Sequence, residues 1–93
     1  TALLTVEDTY TRINASGALS RVAEDFPESV EHVTPTFVEL LSDENPLVRE
    51  NACWALGYLC ARDATSALKD RARDDDNADV RTRASWALAQ INE

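Results

Sequence analysis

The segment Asn45–Ala61, NPLVRENACWALGYLCA, recurs 32 residues later as Asn77–Glu93, NADVRTRASWALAQINE. The two segments share identical residues at matching positions: Val48/Val80, Arg49/Arg81, Ala52/Ala84, Trp54/Trp86, Ala55/Ala87 and Leu56/Leu88. A weaker copy, Asp8–Ala23, precedes the first segment by 37 residues and keeps its Arg, Asn and small apolar positions. Three copies of one amphipathic helix at a period near ~35 residues predict a helical solenoid, in which each repeat buries its apolar face against its neighbours.

The spacing of apolar residues and turn signals predicts an all-α chain of about five helices in about two and a half repeats. The repeat helices are expected at about 10–24, 46–61 and 78–91, and the intervening helices at about 27–41 and 64–73. The predicted helix caps are Asp8 or Thr9, Asn45, and Asp63 or Thr65. Pro35 lacks an N–H inside the second helix, so we expect a break near Val33–Thr34.

The first repeat helix is predicted to bury a stripe formed by Ile13, Gly17, Ala18, Leu19 and Val22, with Arg12 and Arg21 outside it. The chain contains no Met, even at position 1. Because repeat arrays tolerate truncation, we expect residues 1–93 to form one domain that is a piece of a longer array.

The charge balance disfavours nucleic acid as a partner. The chain has 17 acidic and 9 basic residues, a net charge of −8, whereas nucleic-acid affinity depends on neutralising phosphates. Only Lys69 is a lysine. High acidity with almost no lysine is typical of proteins from salt-saturated cytoplasm, and an ordinary acidic cytosolic domain is the alternative.

Cys53 and Cys60 lie about 10 Å apart along one predicted helix, whereas a disulfide needs Cα atoms within about 7 Å. They are therefore expected to be reduced thiols, which predicts a cytoplasmic protein. No apolar run is long enough to cross a membrane, so no membrane partner is expected.

Catalysis and metal binding find little support in the sequence. His32 is the only histidine, and no Cys or carboxylate set accompanies it at metal-ligand spacing. The acidic run 74–79 has Asp79 and Ser85 where a calcium loop needs Gly and Glu. No nucleophile elbow, zinc-protease motif or glycine-rich phosphate loop is present. We therefore expect no catalytic residue, cofactor or metal.

The stretch LLSDENPLVRENACWALGYL resembles a HEAT repeat, and more narrowly the short HEAT-like repeats named after phycobilisome lyases. The resemblance rests on Leu40-Leu41, on Asp43 six residues before Arg49, and on Val48 and Ala52. The last repeat keeps Asp75, Val80-Arg81 and Ala84. The resemblance implies a right-handed α–α superhelix and an inter-repeat ladder formed by Arg12, Arg49, Arg81, Asp43 and Asp75.

A second resemblance concerns the segment Ala52–Leu56, which is similar to the third helix of armadillo repeats. In that family an Asn four residues after the Trp lines a peptide groove. Here Tyr58 and Gln90 occupy those two positions. The spacing of 32 residues also favours the HEAT-like assignment.

Trp54 is predicted to lie about 120° from the centre of the buried helix face. It could pack against the neighbouring repeat. Alternatively, Trp54 and Trp86 form an aromatic ladder on the concave surface, surrounded by Glu50, Tyr58 and Gln90. Such a ladder suits a basic or Arg-containing peptide, through cation–π contacts and charge pairing.

The sequence therefore predicts a non-enzymatic scaffold that binds a protein or peptide through its concave surface. Two alternatives remain. One is a phycobilin lyase-like or lyase-accessory protein, in which a cysteine such as Cys53 would hold a bilin. The other is a structural module that self-associates through exposed repeat ends.

Overall fold

The computed structural model describes residues 8–92, which form α-helices and two 3₁₀ turns and contain no β-strand. The helices are α1 (Thr9–Asp25), α2 (Pro27–Val30), α3 (Thr34–Leu40), α4 (Pro46–Tyr58), α5 (Thr65–Asp74) and α6 (Ala78–Ile91). The 3₁₀ turns are Glu31–Val33 and Arg62–Ala64. None of these helices is both long enough and apolar enough to cross a membrane. The predicted all-α fold is confirmed.

The helices lie in two layers. Helices α1, α4 and α6 pack side by side, with α4 in the middle, and we call them the repeat-helix layer. Helix α3 packs on α4, and α5 packs on α6; with α2 they form the connecting layer. Fully buried side chains from both layers form the core, among them Phe37, Val48, Leu56, Leu68 and Val80. Each repeat therefore buries its apolar face against the next one, as a helical repeat fold requires.

The three repeat helices begin with the same kind of cap. The side chain of Asp8 accepts hydrogen bonds from the N–H groups of Tyr10 and Thr11. The side chains of Asn45 and Asn77 do the same at the starts of α4 and α6. These caps satisfy N–H groups that have no partner within the helix, and they fix where each repeat helix begins.

Helix α5 begins differently, and the prediction that Asp63 or Thr65 would cap it is wrong. Ala64 occupies the cap position without a side-chain bond. The Thr65 hydroxyl instead donates to the Arg62 carbonyl oxygen at 2.8 Å, within the preceding 3₁₀ turn. The 3₁₀ turn leads directly into the helix, so no separate cap is used.

The predicted break near Val33–Thr34 is present, as the 3₁₀ turn between α2 and α3. Pro35 lies in the first turn of α3, where a missing N–H leaves no helical bond unmade.

Helix α4 ends earlier than predicted because Cys60 adopts a left-handed conformation, with φ of 49°. The N–H of Cys60 donates to the Gly57 carbonyl, and the N–H of Ala61 donates to the Leu56 carbonyl, each at 3.1 Å. This pair of bonds is a Schellman motif, which usually has glycine at the left-handed position. Because a cysteine and not a glycine occupies this position, the end of α4 could not be recognised from the sequence.

The predicted buried stripe of α1 is partly wrong. The buried positions are Arg12, Ser16, Ser20 and Ala23, whereas Ala18 and Val22 are exposed. Ser16 donates to the Arg12 carbonyl at 2.7 Å, and Ser20 donates to the Gly17 carbonyl at 2.8 Å. Because both hydroxyls are satisfied within the helix, these small side chains can be buried at little cost.

Candidate functional site

A ladder of arginines and aspartates lies under the turns that join the two layers, and Arg49 is its centre. The Arg49 guanidinium donates to both carboxylate oxygens of Asp75, from Nε at 2.9 Å and from Nη2 at 3.1 Å. It also donates to the Asp43 carbonyl at 2.8 Å and to Asp76 at 3.0 Å. The Asp75 side chain is 1% exposed. Arg49 therefore ties together the turns before α4 and before α6.

The structure brings the other ladder residues into equivalent contacts. Arg12 Nε donates to the Asp43 carboxylate at 2.9 Å, and Arg81 Nη1 donates to the Asp75 carbonyl at 2.6 Å. Asp43 and Asp75 also accept N–H bonds from Asn45 and Asn77, which cap the next helices. All five residues have structural partners within the chain, so we do not assign them to ligand binding.

The environment of Asp75 shifts its pKa. Burial alone would raise this pKa, but the hydrogen bonds from Arg49 and from the Asn77 N–H, with the charges of Arg49 and Arg71, hold it below its ordinary value. A carboxylate whose pKa is depressed on folding contributes stability above its unfolded pKa of about 4. That contribution is lost as the pH falls through the folded pKa.

We therefore expect an Asp75→Asn variant to have a lower free energy of unfolding at pH 7 and a shallower loss of stability in acid below about pH 4. Urea unfolding at several pH values measures both effects. Asp70→Asn, at an exposed carboxylate on α5, is the control and should keep the acid slope of the parent protein. Equal slopes for Asp75→Asn and the parent would contradict the assignment.

Trp86 packs between two repeat helices. Its ring lies over Gly57 of α4, so closely that a Cβ placed there would come within 2.5 Å of the ring atom Cζ3. The Tyr58 ring meets Trp86 edge-on, with ring centroids 5.0 Å apart. For Trp86 the observed contacts therefore match packing against the neighbouring repeat, one of the two interpretations left open by the sequence.

Trp54 is only partly buried, and it lies at a groove of about 370 Å³ between α1 and α4. The other residues lining this groove are Ile13, Asn14, Gly17, Ala18, Arg21 and Asn51. The Nε1–H of Trp54 is shielded from solvent and has no acceptor among residues 8–92. An unsatisfied buried donor costs about 1–3 kcal/mol. Trp54 is thus the less satisfied of the two tryptophans within its own fold.

Sequence reasoning missed Arg83, which lies between the two tryptophans. Its Cζ is 5.2 Å from the Trp54 ring centroid and 5.4 Å from that of Trp86. Its Nε lies 3.8 Å from a Glu50 carboxylate oxygen. Two signals pointed to Arg83: it precedes Trp86 by three residues on one helix face, and it occupies the repeat position of Asn51.

The structure brings Glu50, Tyr58, Trp54 and Trp86 into one cluster around Arg83. Gln90 is not among these contacts; its backbone carbonyl oxygen accepts a bond from Cys60 Sγ at 3.8 Å. We call the exposed side of α1, α4 and α6 around this cluster the repeat-helix face.

Cys53 is fully buried, and burial, followed by the nearby charges of Asp75 and Glu50, raises the pKa of its thiol to about 12. A bilin could not reach this sulfur, so the role considered for Cys53 in a lyase is wrong. Within residues 8–92, no three His, Cys, Asp or Glu side chains are grouped so that they could hold a metal ion.

Comparison with known proteins agrees with this architecture. The chain matches the family model described as HEAT repeats over residues 1–89. A search of curated proteins finds no match. The matched region includes the whole ladder and the cluster around Arg83.

Proposed function

Because the chain belongs to the HEAT-repeat family, we propose that it is a non-enzymatic scaffold that binds a protein or peptide through its repeat-helix face. HEAT repeats generally mediate protein–protein interactions. In this proposal the repeat-helix face is the concave surface of the array, and the protein is cytoplasmic. The two free cysteines, Cys53 and Cys60, support that location.

The observation that carries the proposal is the environment of Trp54. This side chain is partly exposed, borders a groove, and leaves its indole N–H without an acceptor in the described chain. Tryptophans in such positions often contribute much of the free energy of binding at protein interfaces. The ladder residues and Trp86, by contrast, are occupied with holding the repeats together.

The charge of the partner needs separate treatment, because the sequence predicted a basic one. In the structure, Arg83 already occupies the cation position over both tryptophan rings. A basic side chain from a partner would have to displace Arg83 before it could make the same contacts. The cation–π argument for a basic partner therefore no longer applies.

Replacing Trp54 by alanine is expected to weaken partner binding at least about tenfold while leaving helicity intact. Proteins captured from a lysate of the source organism at its native salt, by parent and variant baits, would be compared by quantitative mass spectrometry. Phe26→Ala is the matched control, since Phe26 is 63% exposed and lies outside the repeat helices.

A partner retained by the parent and Phe26→Ala baits but lost by Trp54→Ala supports the proposal. Circular dichroism of each bait separates loss of binding from loss of fold. Capture that is unchanged by Trp54→Ala, with the fold intact, contradicts it. A Trp54→Ala variant that fails to fold instead favours a packing role for this residue.

Self-association is a second candidate, because large apolar side chains are exposed: Tyr10 is 78%, Phe26 is 63% and Leu47 is 53% exposed. If these surfaces pair, light scattering should show a dimer or larger species, and a Phe26→Ser/Leu47→Ser variant should be monomeric. Measurement at low and high salt also tests whether the acidic surface is suited to a high-salt cytoplasm. A monomeric parent protein at every concentration would exclude this candidate.

A further inference from the structure

We propose that the partner bound at the repeat-helix face is an acidic peptide segment, whose Asp or Glu carboxylates bind Arg83 and Arg21 on either side of Trp54. This inference rests on the proposed function and adds the chemistry of the partner to it.

Arg83 is arranged to receive a carboxylate. Its guanidinium carbon lies 5.2 Å from the Trp54 ring centroid and 5.4 Å from that of Trp86, and its side chain is 34% exposed. Its Nε faces Glu50 at 3.8 Å, which is too long for a hydrogen bond. No residue of the described chain accepts a hydrogen bond from Arg83, so its two terminal nitrogens keep their donors for a ligand. A planar guanidinium fixed in this way can bind a carboxylate through two parallel bonds, with little loss of side-chain entropy.

Arg21 supplies a second positive charge on the other side of Trp54. It is exposed on α1 and borders the same groove. Like Arg62 and Arg81, it forms no ion pair with any residue of the 8–92 region, whereas Arg12, Arg49, Arg71 and Arg73 are paired with carboxylates there. Arg21 and Trp54 line one groove, and Arg83 lies against the Trp54 ring from α6, so the two arginines border Trp54 from the two neighbouring repeat helices.

The net charge of −8 does not exclude an acidic partner, because the acidic residues lie mostly elsewhere. Many belong to the connecting layer or to the turns, including Glu28, Glu31, Glu39, Asp63, Asp70 and Asp74. On the repeat-helix face, Glu50 and Asp79 border the cluster, and Glu50 is already opposed by Arg83. The molecule is 17 Å across in its shortest dimension, and charges farther apart than about 8 Å are largely screened at physiological ionic strength.

The test is a selection from a random twelve-residue peptide library displayed on phage, with the purified parent protein as bait. Parallel selections use Trp54→Ala, Arg83→Gln and, as a matched control, Arg73→Gln. Arg73 is also an arginine on a helix, but it lies on α5 in the connecting layer and is exposed there. We expect the parent and Arg73→Gln baits to enrich peptides with two or more Asp or Glu residues, and the Arg83→Gln bait to lose that enrichment.

The best peptide is then synthesised and titrated by fluorescence anisotropy. Its affinity should fall at least about tenfold for Arg83→Gln and for Arg21→Gln, and should change less than about twofold for Arg73→Gln. Replacing its acidic residues by Gln and Asn should weaken binding to the parent protein to a similar extent.

The outcomes separate this inference from the proposed function. Enrichment of Lys- or Arg-rich peptides that requires Trp54 would overturn the acidic partner and leave the binding face in place. Acidic peptides that bind Arg83→Gln as tightly as the parent protein would also overturn it. If no peptide is enriched over the Trp54→Ala bait, the inference of an acidic peptide fails, whereas the proposed function is decided separately by the capture experiment with the Trp54→Ala and Phe26→Ala baits.

Discussion

Replacing Arg49 by alanine is expected to lower the free energy of unfolding by about 3–5 kcal/mol, measured by urea denaturation at neutral pH. The loss arises because the buried Asp75 carboxylate would remain without its main partner. The Asp75 side chain is 1% exposed, and Arg49 donates hydrogen bonds to both of its carboxylate oxygens. Without Arg49 its remaining cation is Arg71, at 3.4 Å. A loss of this size is a large share of the stability of a domain of this length.

Two further variants identify the cause of that loss. Arg49→Lys keeps the charge but cannot form the fork to Asp75 together with the bond to the Asp43 carbonyl, so it should lie between the parent and Arg49→Ala. Arg49→Met combined with Asp75→Asn removes the uncompensated charge and should recover part of the loss. Arg73→Ala, which breaks only exposed pairs, should leave the unfolding midpoint unchanged. An Arg49→Ala protein as stable as the parent would show that the ladder does not hold the repeats.

The ladder around Arg49 was anticipated because the resemblance to HEAT repeats implies it. Only the turn that holds each Asp depends on local sequence, since the bonds from Arg49 to the Asp75 carboxylate join residues 26 apart in the chain. Each Asp lies six residues before its Arg, and an Asn cap separates them, so the turn geometry is repeated wherever this spacing is repeated. The turn fixes where the carboxylate lies, and the first turn of the helix fixes where the guanidinium begins. Because the repeat recurs after 32 residues, the Asp and Arg of one repeat then lie next to those of the following repeat.

The cluster around Arg83 could be anticipated only in part. Helical periodicity placed Trp54 away from the core, and it is partly exposed. It did not reveal that Arg83, from the following repeat, lies over the Trp54 ring at 5.2 Å. That contact depends on the offset between α4 and α6, which no single-helix projection contains. The burial of Ser16 and Ser20 was not predicted for a different reason. Hydropathy scales treat serine as polar and ignore the hydrogen bond that its hydroxyl can donate to a carbonyl of its own helix.

Replacing Gly57 by alanine is expected to destabilise the protein by about 1–3 kcal/mol, although the same change usually stabilises a helix. A Cβ at Gly57 would come within 2.5 Å of Trp86 Cζ3 and 3.1 Å of the Ala87 backbone. The Trp86 ring is held by Tyr58 on one side and Arg83 on another, so it cannot move away freely. Relief of the overlap therefore requires α4 and α6 to separate.

Gly17 provides the matched control, because it is also a glycine within a repeat helix. Its nearest neighbour would be the Asn51 side-chain nitrogen, 3.5 Å from an added Cβ, which is an ordinary contact distance. Gly17→Ala should therefore raise the free energy of unfolding by about 0.5–1 kcal/mol, through the reduced flexibility of the unfolded chain. Opposite signs for the two glycine variants, measured by urea denaturation, are the expected result.

A double-mutant cycle then tests whether Trp86 causes the difference. In a Trp86→Ala background, Gly57→Ala should lose most of its destabilising effect, giving a coupling energy of about 0.5–3 kcal/mol. If Gly57→Ala is equally destabilising with and without the ring, then the Ala87 backbone is the obstacle and Trp86 does not fill the space over Gly57. If Gly57→Ala stabilises the parent protein, Trp86 is not confined between the repeats, and the interpretation as an aromatic ladder for a partner regains its support.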